Sequence, residues 1–428
     1  MKAAFYESDI TPPLGCYMTG YGVPRYAKDV HTRLSSKAVV FEDDGEYSVI
    51  ISVDICEYPN EMHDIVAERV FEFTGITPDK VCIHSTHSHC GAPVWDDPAI
   101  DCYGDDEYKN VFYRLVADSA ILAYKRLENS EIYFSKGIAK GIANNRCWIM
   151  KDGTLQTFVN DISKTDRPLC PPDEEVSILF VEQNGKKIGA VYSFACHQDT
   201  TKEKECGYSG DYSAIVSKHL KEKYGQDFVA LYLAGPCGDI NHIRNGGQGD
   251  QISYKQIGEI ISNTIVESEP KKIPLEGKLS SEKEHISIKK RKYSSDEFVD
   301  LAKYYLDADR GGTFRLSNLL FYYQNDKKQC RDLYVQVIAI GDFALFVYPG
   351  EMFVEYSHRT KKDSPFKYTM VTENSNGHGG YIPTPNAFGE NSYLYEISPA
   401  YDSDLVPEAG EILFKKIITI ANNLKENS

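Results

Sequence analysis

The sequence predicts an α/β fold in which a large mixed β-sheet core is surrounded by helices. Three observations carry this. A strand–helix–strand succession lies near the N-terminus, two hairpin signals lie further along, and the composition is that of a globular chain, 42% hydrophobic and 26% charged over 428 residues. Such a chain buries a large core, and no low-complexity tract or convincing linker interrupts it.

Taken in order, Tyr47-Ser-Val-Ile-Ile-Ser-Val-Asp54 is a β-branched run ending in an acid. From Asn60 to Phe73 the apolar residues Met62, Ile65, Val66, Val70 and Phe73 follow a helical period, and Gly75 stands where a helix C-cap belongs. Val81 to Thr86 reads as the next strand, so the three elements form a parallel crossover. Val176–Glu182 and Ile188–Ala195 flank Asn184-Gly185, a type I′ hairpin signal. A helix from about Tyr212 to Lys223 and an apolar strand from Phe228 to Ala234 follow. Leu333–Ile340 and Phe343–Tyr348 form a second hairpin across Gly341-Asp342. Between about 270 and 330 the charged sequence predicts a mostly helical insertion or cap, with helices over Ser295 to Asp307 and Ser317 to Tyr323. An amphipathic helix from Val406 to Asn423 closes a single domain of residues 1–428, in which no internal repeat is visible.

The net charge of −16 argues against nucleic acid or an anionic membrane as partner, since both want a basic surface. No apolar run approaches the ~20 residues that cross a bilayer. The N-terminus reaches a charge too early for the apolar core of an export signal. These features predict a cytoplasmic protein without stable membrane association; a small-molecule substrate is the expected partner once the site residues below are considered. The 11 cysteines include no CxxC pair, so neither a disulfide framework nor a four-cysteine zinc site is expected.

Candidate chemistry gathers where strands end. His84-Ser-Thr-His87-Ser-His89 leaves the strand at Val81, and in extended backbone His87 and His89 face one side while His84 faces another. His197 ends the apolar run Phe194-Ala-Cys-His197, and Glu351 follows the second hairpin in Pro349-Gly-Glu351. The loop from Asn376 to Pro385 is too rich in glycine and proline for a simple connection. It carries His378, read as solvent-exposed although it could compete as a ligand, and Tyr381. Gly238-Asp239-Ile240-Asn241 and Asn144-Asn145-Arg146 complete the set, with Arg146 suited to orienting an oxyanion or carboxylate.

In this order the segments resemble the neutral, non-lysosomal ceramidase family. Asp9-Ile-Thr-Pro12, Met18-Thr-Gly-Tyr21, His31-Thr-Arg-Leu34, Val53-Asp-Ile-Cys56, Thr86-His-Ser-His-Cys-Gly91, Ser209-Gly-Asp211 and Tyr381-Ile-Pro-Thr-Pro385 all look like family segments, and the likeness runs to about residue 400. The resemblance implies a zinc site of His87, His197, Glu351 and Tyr381. His89 and Arg146 fall at positions of transition-state contacts. A further site tyrosine is implied about a dozen residues past Tyr381; spacing reaches Tyr393, while the family's Tyr-Glu pair selects Tyr395, which is slightly preferred. The family's nucleophilic serine position is occupied by Asn241, which cannot form an acyl-enzyme but could hydrogen-bond substrate. A short family member is therefore expected, without the export signal and the C-terminal immunoglobulin-like domain. Its expected activity is zinc-dependent hydrolysis of an amide, less readily an ester, by metal-activated water. The alternatives are a metal-dependent lyase or isomerase acting on a carbohydrate, and a non-catalytic metal-binding protein.

Overall fold

The computed structural model describes all residues except 22–24, 97–103, 158, 160, 202–204, 243–251, 293, 297–298, 300–301, 304–315, 317–319, 321–327, 390, 399–402 and 428. Three sheets dominate it. The first contains β1 (Lys2–Asp9), β2 (Ser35–Asp43), β3 (Glu46–Val53) and β4 (Val81–Ser85). The second contains β5 (Glu131–Ile138), β6 (Glu175–Gln183), β7 (Lys186–Phe194) and β8 (Val229–Ala234). The third contains β9 (Leu279–Lys289), β10 (Cys330–Ile340), β11 (Phe343–Val347) and β12 (Tyr368–Thr372). Each sheet is laid out identically, with the spatial order fourth, third, second, first.

The repetition extends to the connections. In each unit an antiparallel hairpin leads into a helix and then into a strand parallel to the hairpin's second arm. The crossover helices are α1 (Asn60–Thr74), α3 (Asp211–Tyr224) and α5 (Glu355–Asp363). A second helix closes each unit: α2 (Asp106–Tyr124), α4 (Tyr254–Ser268) and α6 (Ala409–Glu426). The chain is thus three successive βββαβα units. The sequence shows no repeat because the units share topology and not residues. Even the hairpin turns differ: Asp44-Gly45 and Asn184-Gly185 all have positive φ, as type I′ turns require, whereas the third hairpin turns at Gly341-Asp342.

The mostly helical insertion expected at 270–330 is corrected in part. Residues 279–289 form β9, paired along its length with β10. Its charged residues Glu282, Lys283 and Glu284 hide the strand signal because β9 is an edge strand with one face near solvent. The helices expected over Ser295 to Asp307 and Ser317 to Tyr323 lie largely outside the described residues.

Alternation along the strands explains the layers. In β2, Ala38 and Val40 pack toward α1 and α2, whereas Val39 and Phe41 enter a core shared by all three sheets. Leu179, Val181, Leu231 and Leu233 reach that core from the second sheet, and Ile338, Leu345, Val347 and Met370 from the third. Equivalent serines stitch neighbouring sheets together. Ser52 Oγ donates to Tyr232 O at 2.6 Å, and Ser193 Oγ donates to Val371 O at 2.8 Å. The carboxyl ends of the parallel strands therefore meet on one side of the molecule. Among the described residues, no helix is long and apolar enough to cross a membrane.

Candidate metal centre

Each unit contributes side chains just beyond its strand ends, where loops are free to carry chemistry. The first supplies His87 and His89 after β4, the second His197 after β7 and Asn241 after β8. The third supplies Glu351 after β11 and Tyr381 after β12. The shared core holds the three sheets rigidly, so residues over 290 positions apart in sequence can meet with fixed geometry.

His87 Nε2, His197 Nε2 and one Glu351 carboxylate oxygen lie within 4.8 Å of one another, all on buried residues. The outer nitrogens are already committed. His87 Nδ1 lies 2.9 Å from Cys56 O, and His197 Nδ1 lies 2.8 Å from Cys237 O and 2.9 Å from Ile240 O. A carbonyl only accepts, so each Nδ1 carries the proton and each Nε2 turns a lone pair inward. Glu351 Oε2 is 3.4 Å from His87 Nε2 and 3.1 Å from His197 Nε2. Yet His197 Nε2 and Glu351 Oε2 both lack a hydrogen-bond partner in acceptable geometry. Three convergent electron-pair donors, all buried and two of them orphaned, fit a divalent cation of the zinc type.

Charge couples these groups closely. Burial opposes charge on Glu351, but the two imidazoles outweigh it and hold the carboxyl well below its usual range. Burial likewise lowers His87, and the facing carboxylate outweighs it and raises that imidazole. The group Cys56, His87 and His89 is also compact, but Cys56 Sγ faces the His87 Nδ1 edge at 3.9 Å, and burial pushes its thiol upward.

His89 shares the site for a reason other than the extended backbone expected from sequence. His87 has a left-handed φ of 61°, so the chain turns there and the two Nε2 atoms approach to 3.3 Å. Gly20 is needed beside it, because a Cβ at that position would lie 2.5 Å from the His89 side chain. The Tyr21 ring packs edge-on against His89 with centroids 5.2 Å apart, and Arg25 donates to the His89 carbonyl.

A second group adjoins the first. The two-residue strands Glu351–Met352 and Tyr381–Ile382 pair in parallel with Glu351 opposite Tyr381, which sets the phenol beside the carboxylate. Burial, then Glu351, raises the Tyr381 phenol well above its usual value. Arg146 Nη2 donates to Tyr381 Oη at 3.1 Å and to Gly238 O at 2.7 Å, while Nε donates to Glu396 Oε1 at 2.9 Å. Tyr395 Oη lies 3.4 Å from Tyr381 Oη, and the Arg146 guanidinium sits 4.9 Å from the Tyr395 ring centroid. Tyr393 is 50% exposed and belongs to a short surface strand, so Tyr395 is the tyrosine placed in this group.

The remaining sequence candidates separate clearly. His84 is wholly buried; its Nε2 accepts from Ala234 N at 3.0 Å and its Nδ1 donates to Glu373 O at 2.9 Å. It ties the ends of β4, β8 and β12 together as a neutral ring, and burial pushes its pKa down to about 3. Asp239 is a bracket, accepting from Val354 N and Asn145 Nδ2, and burial raises it to about 6. His378 lies away from the cluster with Nδ1 3.3 Å from Glu57 Oε2. Asn241 is buried, and its Nδ2 donates to Asp199 Oδ2 at 2.9 Å. Asp199, His242, Glu373 and Glu396 were not singled out by the sequence reading. Asp199 stands two residues past His197 and Glu396 directly after Tyr395, and that adjacency was their only signal.

Comparison with known proteins follows the same line. No curated protein matches the chain. The neutral ceramidase from Pseudomonas aeruginosa is similar in structure at a TM-score of 0.76 and 16% identity, covering 100% of this chain and 74% of that one. A ceramidase complexed with C2 gives 0.78 and 16%, covering 100% and 75%. At this identity the likenesses establish the α/β fold. The profile of "Neutral/alkaline non-lysosomal ceramidase, N-terminal" matches residues 5–258. By that match the chain belongs to the neutral/alkaline non-lysosomal ceramidase family.

Proposed function

We propose that this protein is a metal-dependent amidase, with zinc as the expected ion, that cleaves a small N-acyl compound and is not a true ceramidase. Family membership implies a hydrolase, and nothing in the comparisons favours a lyase, an isomerase or a non-catalytic role. The observation that carries the metal reading is the convergence of His87 Nε2, His197 Nε2 and Glu351 Oε2 with their outer nitrogens pinned to backbone carbonyls. Tyr381, in register with Glu351, is the fourth candidate ligand. A bound zinc ion would supply Lewis acidity, polarising a carbonyl and acidifying water.

The chain's own residues provide the rest. Arg146 is fixed by Glu396 and Gly238 and is close to Tyr381 and Tyr395, so the guanidinium and the Tyr395 hydroxyl are suited to hold a developing oxyanion. His89 is the imidazole of the cluster not assigned to the ion, and its burial keeps it neutral, well below its usual pKa. It is suited to take a proton from the attacking water and pass it to the departing amine. Asn241 offers no nucleophile, which leaves water as the attacking group. Residues 1–428 act as one catalytic domain in this reading, because the candidate ligands come from three sheets around one core.

The test is a panel of short- and long-chain N-acyl amines and matching esters, assayed with the protein stripped of metal and then reloaded. Amide cleavage that vanishes with the metal and returns with zinc supports the reading. Turnover unaffected by chelation, or an unsaturated or isomerised sugar as product, overturns it.

A further inference from the structure

Four histidines lie in β4, the loop behind it and the loop behind β7, and three of them are pinned in the same way. The Nδ1 atoms of His84, His87 and His197 meet the backbone carbonyls of Glu373, Cys56 and Cys237 at 2.9, 2.9 and 2.8 Å. His89 is the exception. Its Nδ1 is buried without a hydrogen-bond partner among the described residues, and its Nε2 faces His87 Nε2 at 3.3 Å. A ring that carries a proton needs a fixed direction, and here no acceptor at Nδ1 supplies it.

Packing supplies it instead. The Tyr21 ring meets the His89 ring edge-on, with centroids 5.2 Å apart and planes at 78°. Tyr21 is itself held in two places. Its Oη shares one hydrogen between the carbonyls of Asp199, at 2.9 Å, and Thr201, in the loop that follows His197. The Arg25 guanidinium lies 4.4 Å from the centroid of the Tyr21 ring, a cation–π stack. Arg25 is buried, 4% exposed, and its Nη2 donates to the carbonyls of His89 and Thr19. One guanidinium thus grips the backbone of His89 and also the ring that packs against its imidazole. Tyr21 in turn ties the loop of His197 to the loop of His87.

We propose that Tyr21 and Arg25 are positioning residues that set the direction of the His89 imidazole beside the candidate metal centre. This rests on the reading of His89 as the proton carrier and names the groups that orient it. A lysine at position 25 would keep the charge and lose the planar fork that stacks on the ring and reaches two carbonyls.

Two readouts on the zinc-loaded protein test this. The first needs no turnover. With histidine-selective isotope labelling, the His89 ring signal is identified by its disappearance in His89→Gln. It should be single in the unmodified protein and should broaden or split in Tyr21→Leu and Arg25→Met, with zinc content unchanged. The second is kinetic, on the best-cleaved member of the N-acyl amine panel. Each variant should lower kcat about 10²-fold, the scale of a small misplacement, and leave KM unchanged. Combined with His89→Gln, neither should slow the enzyme further, because a residue that acts through His89 then has nothing to position. A general structural role would instead add its loss to that of His89→Gln. Such additivity overturns the proposal, as does a His89 signal that stays single and sharp in both variants, or loss of zinc from either. If Tyr21→Leu does not fold, Tyr21→Phe, which keeps the ring and releases its anchored end, takes its place with a smaller loss of the same pattern. Failure of the unmodified protein to cleave any amide would refute the amidase reading instead, and the His89 signal would still decide whether Tyr21 and Arg25 orient the ring.

Discussion

Replacing Arg146 by Met should expose how much the site depends on one buried charge pair. The Arg146 side chain is 4% exposed and its partner Glu396 is fully buried, with Nε donating to Oε1 at 2.9 Å. Thr157 Oγ1 donates to the other Glu396 oxygen at 2.6 Å. Deleting the guanidinium leaves a buried carboxylate without its charged donor and leaves Gly238 O without its 2.7 Å donor. Breaking such a pair from one side costs about 3–5 kcal/mol. The deficit should depend on pH in a defined sense. Burial already pushes the Glu396 carboxyl upward, and Arg146 pulls it back. In Arg146→Met the folded state therefore holds a proton that the unfolded state releases above a pKa of about 4.3. Stability then falls as pH rises through and above that value, and the penalty is least where Glu396 is protonated in both states. Equilibrium urea unfolding of both proteins at pH 5 and pH 7.5 measures the difference. The deficit should be larger at pH 7.5, and the double variant Arg146→Met/Glu396→Gln should recover part of it. A loss below about 1 kcal/mol, well short of that range, or a deficit indifferent to pH, would refute the argument.

Other outcomes follow from the same geometry. His89→Gln should retain metal and lose about 10²–10⁴ in kcat, the usual worth of a positioned proton donor; metal lost with activity would reassign His89 as a ligand. Tyr395→Phe should lower kcat by about 10²-fold, as for a lost oxyanion donor, while Tyr393→Phe, at a half-exposed position, should leave it unchanged. His84→Ala should cost about 2–5 kcal/mol in unfolding experiments with little effect on metal content in protein that remains folded, because it removes a fully buried ring and strands the amide of Ala234.

The fold class was legible in the sequence because each crossover helix and hairpin leaves a local mark: the 3.6-residue period of α1, the Asn184-Gly185 turn, the apolar run of β8. The threefold unit was not legible, since it lies in the order of strands, and β9 carries charge on an edge where sequence pattern fades. Of the site, His87, His197 and Glu351 stood out because each follows an apolar strand. Their convergence was carried by resemblance alone, for no local signal links residues 87, 197 and 351. His87 and His89 share the site as expected, but through the left-handed turn at His87 rather than through extended backbone. The buried carboxylates Asp199, Glu373 and Glu396 were passed over because a lone acid reads as a surface residue until its distant partner is seen; for Glu396 that partner is Arg146, 250 positions away.

The central claim is that three sheets bring His87, His197 and Glu351 together to hold a metal ion. Elemental analysis of the purified protein and of His87→Ala, His197→Ala and Glu351→Gln tests it most directly. The account predicts about one zinc-type ion per chain, as in a single mononuclear site, and its loss from each of the three variants while they remain folded. A metal-free protein that also fails to take up zinc on titration, or variants that keep the ion, would contradict it.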